Sequence, residues 1–204
     1  MNIIQKSIVN YAKGRQGERP EIVVIHIGEG NSGQILGKAN FKEKLGAFTY
    51  EQKSSHYLVN YDGSVWQFVK EENTAWHAGL KVNPTAKLVL AKKEKNPNLY
   101  SIGIEHEGYG HTDITEEQYK VSAQLIREIC LRWNITIDRE HIIGHREIRA
   151  DKTCPGKIDV DKLIRLAIYE EPKKDDPKVV QNLELQLTLL QKVVALLKQL
   201  LGIK

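Results

Sequence analysis

Three residues that lie far apart in this sequence carry the side chains of one zinc site. His26 ends the apolar run at residues 22–25, and His145 and Cys154 lie within residues 144–156. Two imidazoles and one thiolate are three ligands of a tetrahedral zinc ion, which leaves the fourth position open to water. An open position is typical of catalytic zinc, so the pattern predicts a hydrolase.

Length and charge restrict the class of protein. The chain has 204 residues, 41% of them apolar, which is enough for one enzyme core and an appendage. The formal net charge is +4 and the pI is about 8.9, but Lys and Arg are interspersed with acidic residues. We therefore expect no nucleic-acid partner, whereas a mild basic excess suits an anionic polymer.

The cysteine content and the N-terminal residues bear on the compartment. Cys130 and Cys154 are the only cysteines, too few for a disulfide framework, and Cys130 lies in a helical pattern that predicts core packing. The first residues lack the apolar core and cleavage site of a signal peptide, and no stretch is apolar enough for a transmembrane segment. We expect cytoplasmic synthesis.

Strand and helix patterns alternate through residues 1–169, which we interpret as the catalytic domain. Strands are predicted at 21–27, 55–59, 64–69, 101–105 and 142–143, with an Asp-Gly hairpin turn at 62–63. Helices are predicted from a capping box at Thr115 to about Trp133, and at 160–169. Residues 28–46 indicate a cleft-lining loop with one helical turn near 39–45. Together, these strands and helices predict an α/β fold with a mixed central β-sheet flanked by helices.

The last 35 residues differ in character. A charged, proline-marked linker is predicted at 170–178, and an amphipathic oligomerisation helix at 179–204. Its apolar residues follow a heptad seam: Val180, Leu183, Leu187, Leu190, Val194, Leu197 and Leu201. A second stripe widens this face: Leu189, Val193, Leu196 and Leu200. We expect a homo-oligomer; docking on the enzyme domain or on a membrane surface remains open.

Five collinear segments carry a resemblance to a known family. They are Ile-Val-Val-Ile-His (22–26), Ser-Ser-His-Tyr-Leu-Val (54–59), Trp-His-Ala-Gly (76–79), Ser-Ile-Gly-Ile-Glu-His-Glu-Gly (101–108) and Gly-His-Arg…Asp-Lys-Thr-Cys-Pro-Gly (144–156). Over residues 20–168 the chain resembles zinc-dependent N-acetylmuramoyl-L-alanine amidases. That group includes peptidoglycan recognition proteins, phage endolysins and bacterial anhydro-muropeptide amidases.

The resemblance implies a role for each residue of the metal site. His26, His145 and Cys154 fall on the zinc ligands of similar enzymes. Glu105 falls on the catalytic carboxylate that moves the proton, although Glu107 would share its face of a strand. Lys152 falls on a lysine that stabilises the negatively charged tetrahedral intermediate.

The same resemblance implies substrate-binding residues. His77, Trp76 and Tyr57 are expected to contact the substrate, with orientation of a zinc ligand as the alternative for His77. His56 is expected to be buried and hydrogen-bonded. Some endolysin-like relatives carry a catalytic tyrosine where Ser55 stands, so the base role is expected to fall on Glu105.

The expected function is hydrolysis of the amide between N-acetylmuramic acid and L-alanine in peptidoglycan, with Zn²⁺ as cofactor. A phage-type endolysin that reaches the wall through a damaged membrane is favoured. A cytoplasmic muropeptide-recycling amidase and a non-catalytic peptidoglycan-binding module are the alternatives. A zinc deaminase is disfavoured because the required Pro-Cys-x-x-Cys is absent.

Overall fold

The computed structural model describes residues 2–40, 43–45, 49–51 and 53–169, together with residues 190, 191, 193, 194 and 197. The chain divides into one compact unit at Met1–Ile168 and a second at Tyr169–Lys204. The predicted linker and most of the predicted tail helix lie outside the described residues. Within the described part, no helix has the length and apolar character needed to cross a bilayer.

A six-stranded mixed sheet forms the centre of the first unit, in the order β1-β7-β6-β9-β3-β10. Its strands are β1 (Ile3–Gln5), β3 (Ile22–Ile25), β6 (Tyr57–Val59), β7 (Val65–Gln67), β9 (Ser101–His106) and β10 (Ile142–Gly144). Two-stranded pairs are formed by β2 (Tyr11–Ala12) with β8 (Thr74–Ala75) and by β4 (Glu43–Leu45) with β5 (Thr49–Glu51). The predicted mixed sheet is confirmed: β6, β9, β3 and β10 run parallel, and β7 runs antiparallel to β6.

Both faces of the sheet are covered by helices. These are α1 (Ser32–Asn40), α2 (Lys87–Ala91), α3 (Glu116–Trp133) and α4 (Val160–Ile168). Val23 and Ile25 pack on one face with α3 and α4, while Ile22 and Val24 pack on the other with Val89 of α2. A strand that is buried on both sides needs a continuous apolar run rather than an alternating one, which explains the sequence of β3.

The predicted boundaries of α3 and the predicted hairpin are confirmed, although the hairpin strands are shorter than predicted. The Thr115 hydroxyl accepts a hydrogen bond from the Gln118 amide at 3.1 Å, and the Gln118 side chain accepts one from the Thr115 amide at 3.0 Å. The helix ends where Asn134 adopts a left-handed conformation with φ 53°. In the β6–β7 turn, Gly63 has φ +78°, the conformation that an Asp-Gly turn requires.

The interpretation of residues 28–46 is wrong in one respect. A nine-residue helix, α1, occupies Ser32–Asn40, and Glu43–Leu45 is a strand rather than part of a helical turn. A capping box starts this helix, because Asn31 and Gln34 exchange backbone-to-side-chain hydrogen bonds of 2.9 Å in both directions. The glycine-rich composition of the segment obscured that local signal.

A buried guanidinium joins the N-terminal segment to the start of β9. Arg15 is 5% exposed, and its Nε donates to the Glu71 carbonyl at 2.7 Å. Its Nη1 donates to the carbonyls of Asn98, Leu99 and Ser101 at 3.3, 3.0 and 3.0 Å. Burial lowers the pKa of Arg15 to about 10, so the group stays charged at neutral pH.

Replacement of Arg15 by methionine is expected to destabilise the protein by about 2–4 kcal/mol, because several buried carbonyls lose their charged donor. Urea unfolding followed by circular dichroism measures this loss. Arg19→Met is the matched control, since exposed Arg19 donates to a single carbonyl, that of Trp133. Equal unfolding midpoints for the two variants would contradict the role assigned to Arg15.

Candidate metal centre and active site

The candidate site lies at the carboxyl edge of the parallel strands. Because Ile25 pairs with Ile104 and with Gly144, the residues that follow them are His26, Glu105 and His145. Side chains alternate along a strand, so His26 and Glu105 lie on the α2 face, opposite α3. The register of three strands therefore brings these three side chains to one edge.

Three ligand atoms converge there. One atom from each of His26, His145 and Cys154 lies within 4.8 Å of the others. The Cys154 Sγ is 3.6 Å from the His26 Nδ1. Zinc bonds of ~2.3 Å to sulfur and ~2.05 Å to nitrogen at a tetrahedral angle place the two ligand atoms about 3.6 Å apart. The residues present thus fit a zinc ion.

The protonation states of the metal-free site also suit a cation. Burial and the nearby His145 ring hold the pKa of His26 well below its usual range, so this imidazole is neutral. Burial lowers the pKa of His145 as well. Burial, reinforced by the charge of Glu105, raises the pKa of the Cys154 thiol. A soft sulfur ligand that gives up its proton to a divalent ion, beside two neutral imidazoles, is a typical zinc donor set.

The structure separates the two candidate carboxylates. Glu105 lines the cavity beside the ligands, and its Oε2 is buried without a hydrogen-bond partner among the described residues. Burial raises the pKa of Glu105 to about 7, and nearby Lys38 partly opposes that shift. Glu107 instead accepts hydrogen bonds of 2.9 Å from the Ser32 and Tyr61 amides, one on each oxygen. Glu105 is therefore the carboxylate with a free oxygen at the site.

A cavity of about 490 Å³ surrounds these groups. Its charged lining residues are Glu29, Lys38, Lys53, Glu105, Arg149 and Lys152. Burial is the largest cause of the lowered pKa of His145, and the positive charge of Lys152 lowers it further. The ammonium of Lys152 therefore acts on the site of the three converging side chains. Trp76 also lines the cavity, and its indole Nε1 is buried without a partner in the described part of the chain.

Tyr57 lies outside the predicted substrate site. Its ring is 2% exposed within the core on the α3 face, and its hydroxyl donates to Glu71 Oε1 at 2.6 Å. Burial raises the pKa of Tyr57. Residues 57 and 59 share the core face, so the alternation along β6 turns Tyr57 away from the cavity. Ser55 does line the cavity, and its hydroxyl donates to the Tyr57 carbonyl at 3.0 Å.

Two histidines occupy the layer behind the ligands. His56 is fully buried, as predicted, and its Nδ1 accepts a hydrogen bond from the Gly103 amide at 3.0 Å. His77 borders the cavity, and its Nδ1 is 3.0 Å from the His26 Nε2.

The predicted cleft-lining role of residues 28–46 is confirmed, because Ile35, Lys38 and Ala39 of α1 border the cavity, but Lys38 was not among the predicted site residues. Lys38 donates to the carbonyls of Gly28 and Glu29 at 2.8 and 3.1 Å, which ties the helix to the end of β3. Glu29 accepts a hydrogen bond from the Gly110 amide at 2.9 Å. The capping box of α1 is the sequence signal that could have placed Lys38 on this wall.

The raised pKa of Glu105 predicts a stability change in the metal-free protein. The folded protein binds the proton of Glu105 more tightly than the unfolded chain does. This proton therefore contributes fully to stability below pH 4.5, the ordinary pKa of a glutamate, and the contribution is lost as the pH rises to about 7. Glu105→Gln removes the effect, so its stability relative to the parent should rise by about 1–3 kcal/mol over that window. Urea unfolding from pH 4 to 8 measures it. A difference between the variant and the parent that stays constant with pH would refute it.

Comparison with known proteins identifies the family of this chain. Residues 16–157 match the Amidase_2 family model, described as N-acetylmuramoyl-L-alanine amidase. The 1,6-anhydro-N-acetylmuramyl-L-alanine amidase AmpD of Enterobacter cloacae is 33% identical over 104 residues, 50% of this chain and 50% of the relative. The match thus spans about half the length of that curated relative.

Solved structures agree with the fold. The crystal structure of a selenomethionine derivative of AmpD superposes with a TM-score of 0.66 at 25% identity, covering 80% of this chain and 93% of that one. The endolysin amidase LysCS of Clostridium intestinale URNW gives 0.57 at 17% identity, with 83% and 97% covered. With a family match over most of its length, its fold and its three convergent ligands, the chain belongs to the Amidase_2 family of N-acetylmuramoyl-L-alanine amidases.

Proposed function

We propose that this protein is a zinc-dependent hydrolase of the amide bond between N-acetylmuramic acid and L-alanine in bacterial peptidoglycan or its fragments. The observation that carries the proposal is the convergence of His26, His145 and Cys154 beside Glu105 in one cavity. The family membership supports the choice of substrate bond. A non-catalytic binding module is disfavoured, because both the ligand set and the carboxylate are present.

The three ligand residues would hold the zinc ion. When bound, zinc polarises the scissile carbonyl and lowers the pKa of water, which supplies a nucleophile at neutral pH.

Glu105 serves as the proton carrier of the reaction. Its raised pKa, about 7, lies near the operating pH, so the carboxylate takes a proton from the attacking water and returns it to the leaving nitrogen. The free Oε2 has no competing partner among the described residues.

Lys152 and Trp76 contribute from the wall of the cavity. The ammonium of Lys152 is available to stabilise negative charge on the substrate oxygen, and this charge exists in the transition state but not in the neutral amide. The buried Nε1 of Trp76 is a donor that substrate can satisfy. A volume of about 490 Å³ lies within the usual range of small-ligand sites.

Two biological roles fit this activity. The Enterobacter cloacae relative is named for action on 1,6-anhydro-N-acetylmuramyl-L-alanine, which supports a recycling amidase that acts on soluble muropeptides. A phage-type endolysin, made in the cytoplasm and released through the membrane to the wall, is the second candidate; the predicted tail favours it. Parallel assays on intact walls and on soluble anhydro-muropeptide distinguish the two roles.

Mass spectrometry of digested peptidoglycan tests the reaction itself. The parent protein should release new N-terminal alanine, and Glu105→Gln should lower the rate about 10²–10⁴-fold while zinc content is retained. Cys154→Ala should lose both zinc and activity, and Cys130→Ala, which removes the buried cysteine of α3, should keep both. New reducing sugar ends, or full activity of Cys154→Ala, would contradict the proposal.

We further propose that the tail makes the protein a homo-oligomer. Leu190, Val193, Val194 and Leu197 have the spacing of one helical stripe, and each is 44–60% exposed. Truncation after Tyr169 is therefore expected to leave a folded, active monomer, while the full chain has a larger mass by multi-angle light scattering. A monomeric full-length chain would refute this proposal.

A further inference from the structure

Both ring nitrogens of His77 are already engaged inside the protein. Its Nδ1 lies 3.0 Å from the Nε2 of His26, and its Nε2 lies 3.1 Å from the hydroxyl of Ser101. The Ser101 hydroxyl in turn donates to the Pro97 carbonyl at 2.7 Å. An imidazole has only two nitrogens, so none of His77 remains to hydrogen-bond a substrate.

The hydrogen bonds run in one direction. The His26 Nδ1 faces the Cys154 sulfur and needs its lone pair for a cation, so its proton belongs on Nε2. Nε2 then donates to the His77 Nδ1, and the His77 Nε2 donates to Ser101. The terminal acceptor is a backbone carbonyl, so every donor in the series is satisfied.

The neighbouring residue performs the same task for the second imidazole ligand. The His145 Nε2 is 3.1 Å from the carbonyl of Ala78, which leaves the His145 Nδ1 for the metal site. Two consecutive residues, His77 and Ala78, therefore contact both histidine ligands from behind.

This segment is itself held rigidly. The amides of His77 and Ala78 both donate to the Asn98 Oδ1, at 2.9 and 2.8 Å. The His77 ring packs against Gly103, where an added Cβ would lie 2.5 Å from the His77 Cγ. Any other residue at position 103 of β9 would clash with the ring, so Gly103 is required for His77 to adopt this position.

We propose that His77 is a positioning residue of the metal centre rather than a substrate-binding residue, and that His77 and Ala78 together orient both imidazole ligands. This inference rests on the proposed zinc site. Its physical basis is that a ligand imidazole binds best when its second nitrogen has a fixed partner that sets the tautomer and the ring orientation. Here that partner is another imidazole, backed by Ser101.

The test measures metal affinity rather than catalysis. Zinc dissociation constants are obtained by competition with a chromophoric chelator, and the Co²⁺ absorption spectrum reports the coordination geometry. His77→Leu should weaken zinc binding about 10–100-fold and alter the Co²⁺ spectrum. His77→Asn, which keeps an acceptor near the position of Nδ1, should recover part of the affinity. Ser101→Ala should weaken zinc binding less, because it removes only the hydrogen-bond partner of the His77 Nε2.

The controls separate orientation from folding. His141→Gln removes a histidine that contacts Asp138 at 2.6 Å outside the site, and it should bind zinc like the parent. Circular dichroism of each metal-free variant checks its fold; if His77→Leu does not fold, Ser101→Ala and His77→Asn decide the question.

Two failures are distinguishable. If the parent binds zinc and His77→Leu binds it equally well with an unchanged Co²⁺ spectrum, while KM for muropeptide rises, the positioning role is overturned and substrate contact is supported. If the parent itself binds no zinc, the proposed function fails.

Discussion

The register of the parallel strands is the constraint on which the site depends. His26, Glu105 and His145 meet only because β3 pairs with β9 and β10 so that their carboxyl ends are level. A slip of one residue in β9 would turn Glu105 into the core and bring an isoleucine to the cavity. Ile102 and Ile104 of β9 resist such a slip, since both belong to the apolar cluster on the α3 face and would leave it.

Burial gives the site its chemical character. It disfavours charge on His26, Glu105 and Cys154, and it therefore lowers the pKa of the imidazole and raises the pKa values of the carboxyl and the thiol. A divalent ion bound to these side chains would supply the positive charge that the buried surroundings lack. In the proposed reaction, the same low-polarity environment would strengthen the interaction between Lys152 and the negative charge that develops on the substrate oxygen.

The sequence predicted the central sheet and the meeting of the ligands because collinear motifs and apolar runs encode both. It did not predict α1, since glycine-rich composition outweighed the capping box at Asn31. Tyr57 was predicted to contact substrate because it lies in a family motif. The alternation of side chains along β6 instead places Tyr57 in the core. The two nitrogens of His77 contact Ser101 and His26, which are separated from it by 24 and 51 positions in the sequence. Local sequence patterns do not predict contacts over such separations.

The attachment of α1 has a consequence for how specificity can diverge. The helix is tied through the Ser32 amide to Glu107 and through Lys38 to two carbonyls. The candidate metal-binding residues instead directly follow β3 and β10 or lie in the loop beyond β10. Exposed positions of α1 can thus mutate without moving a ligand. Related enzymes could acquire new selectivity by remodelling one wall while the hydrolytic apparatus is inherited unchanged.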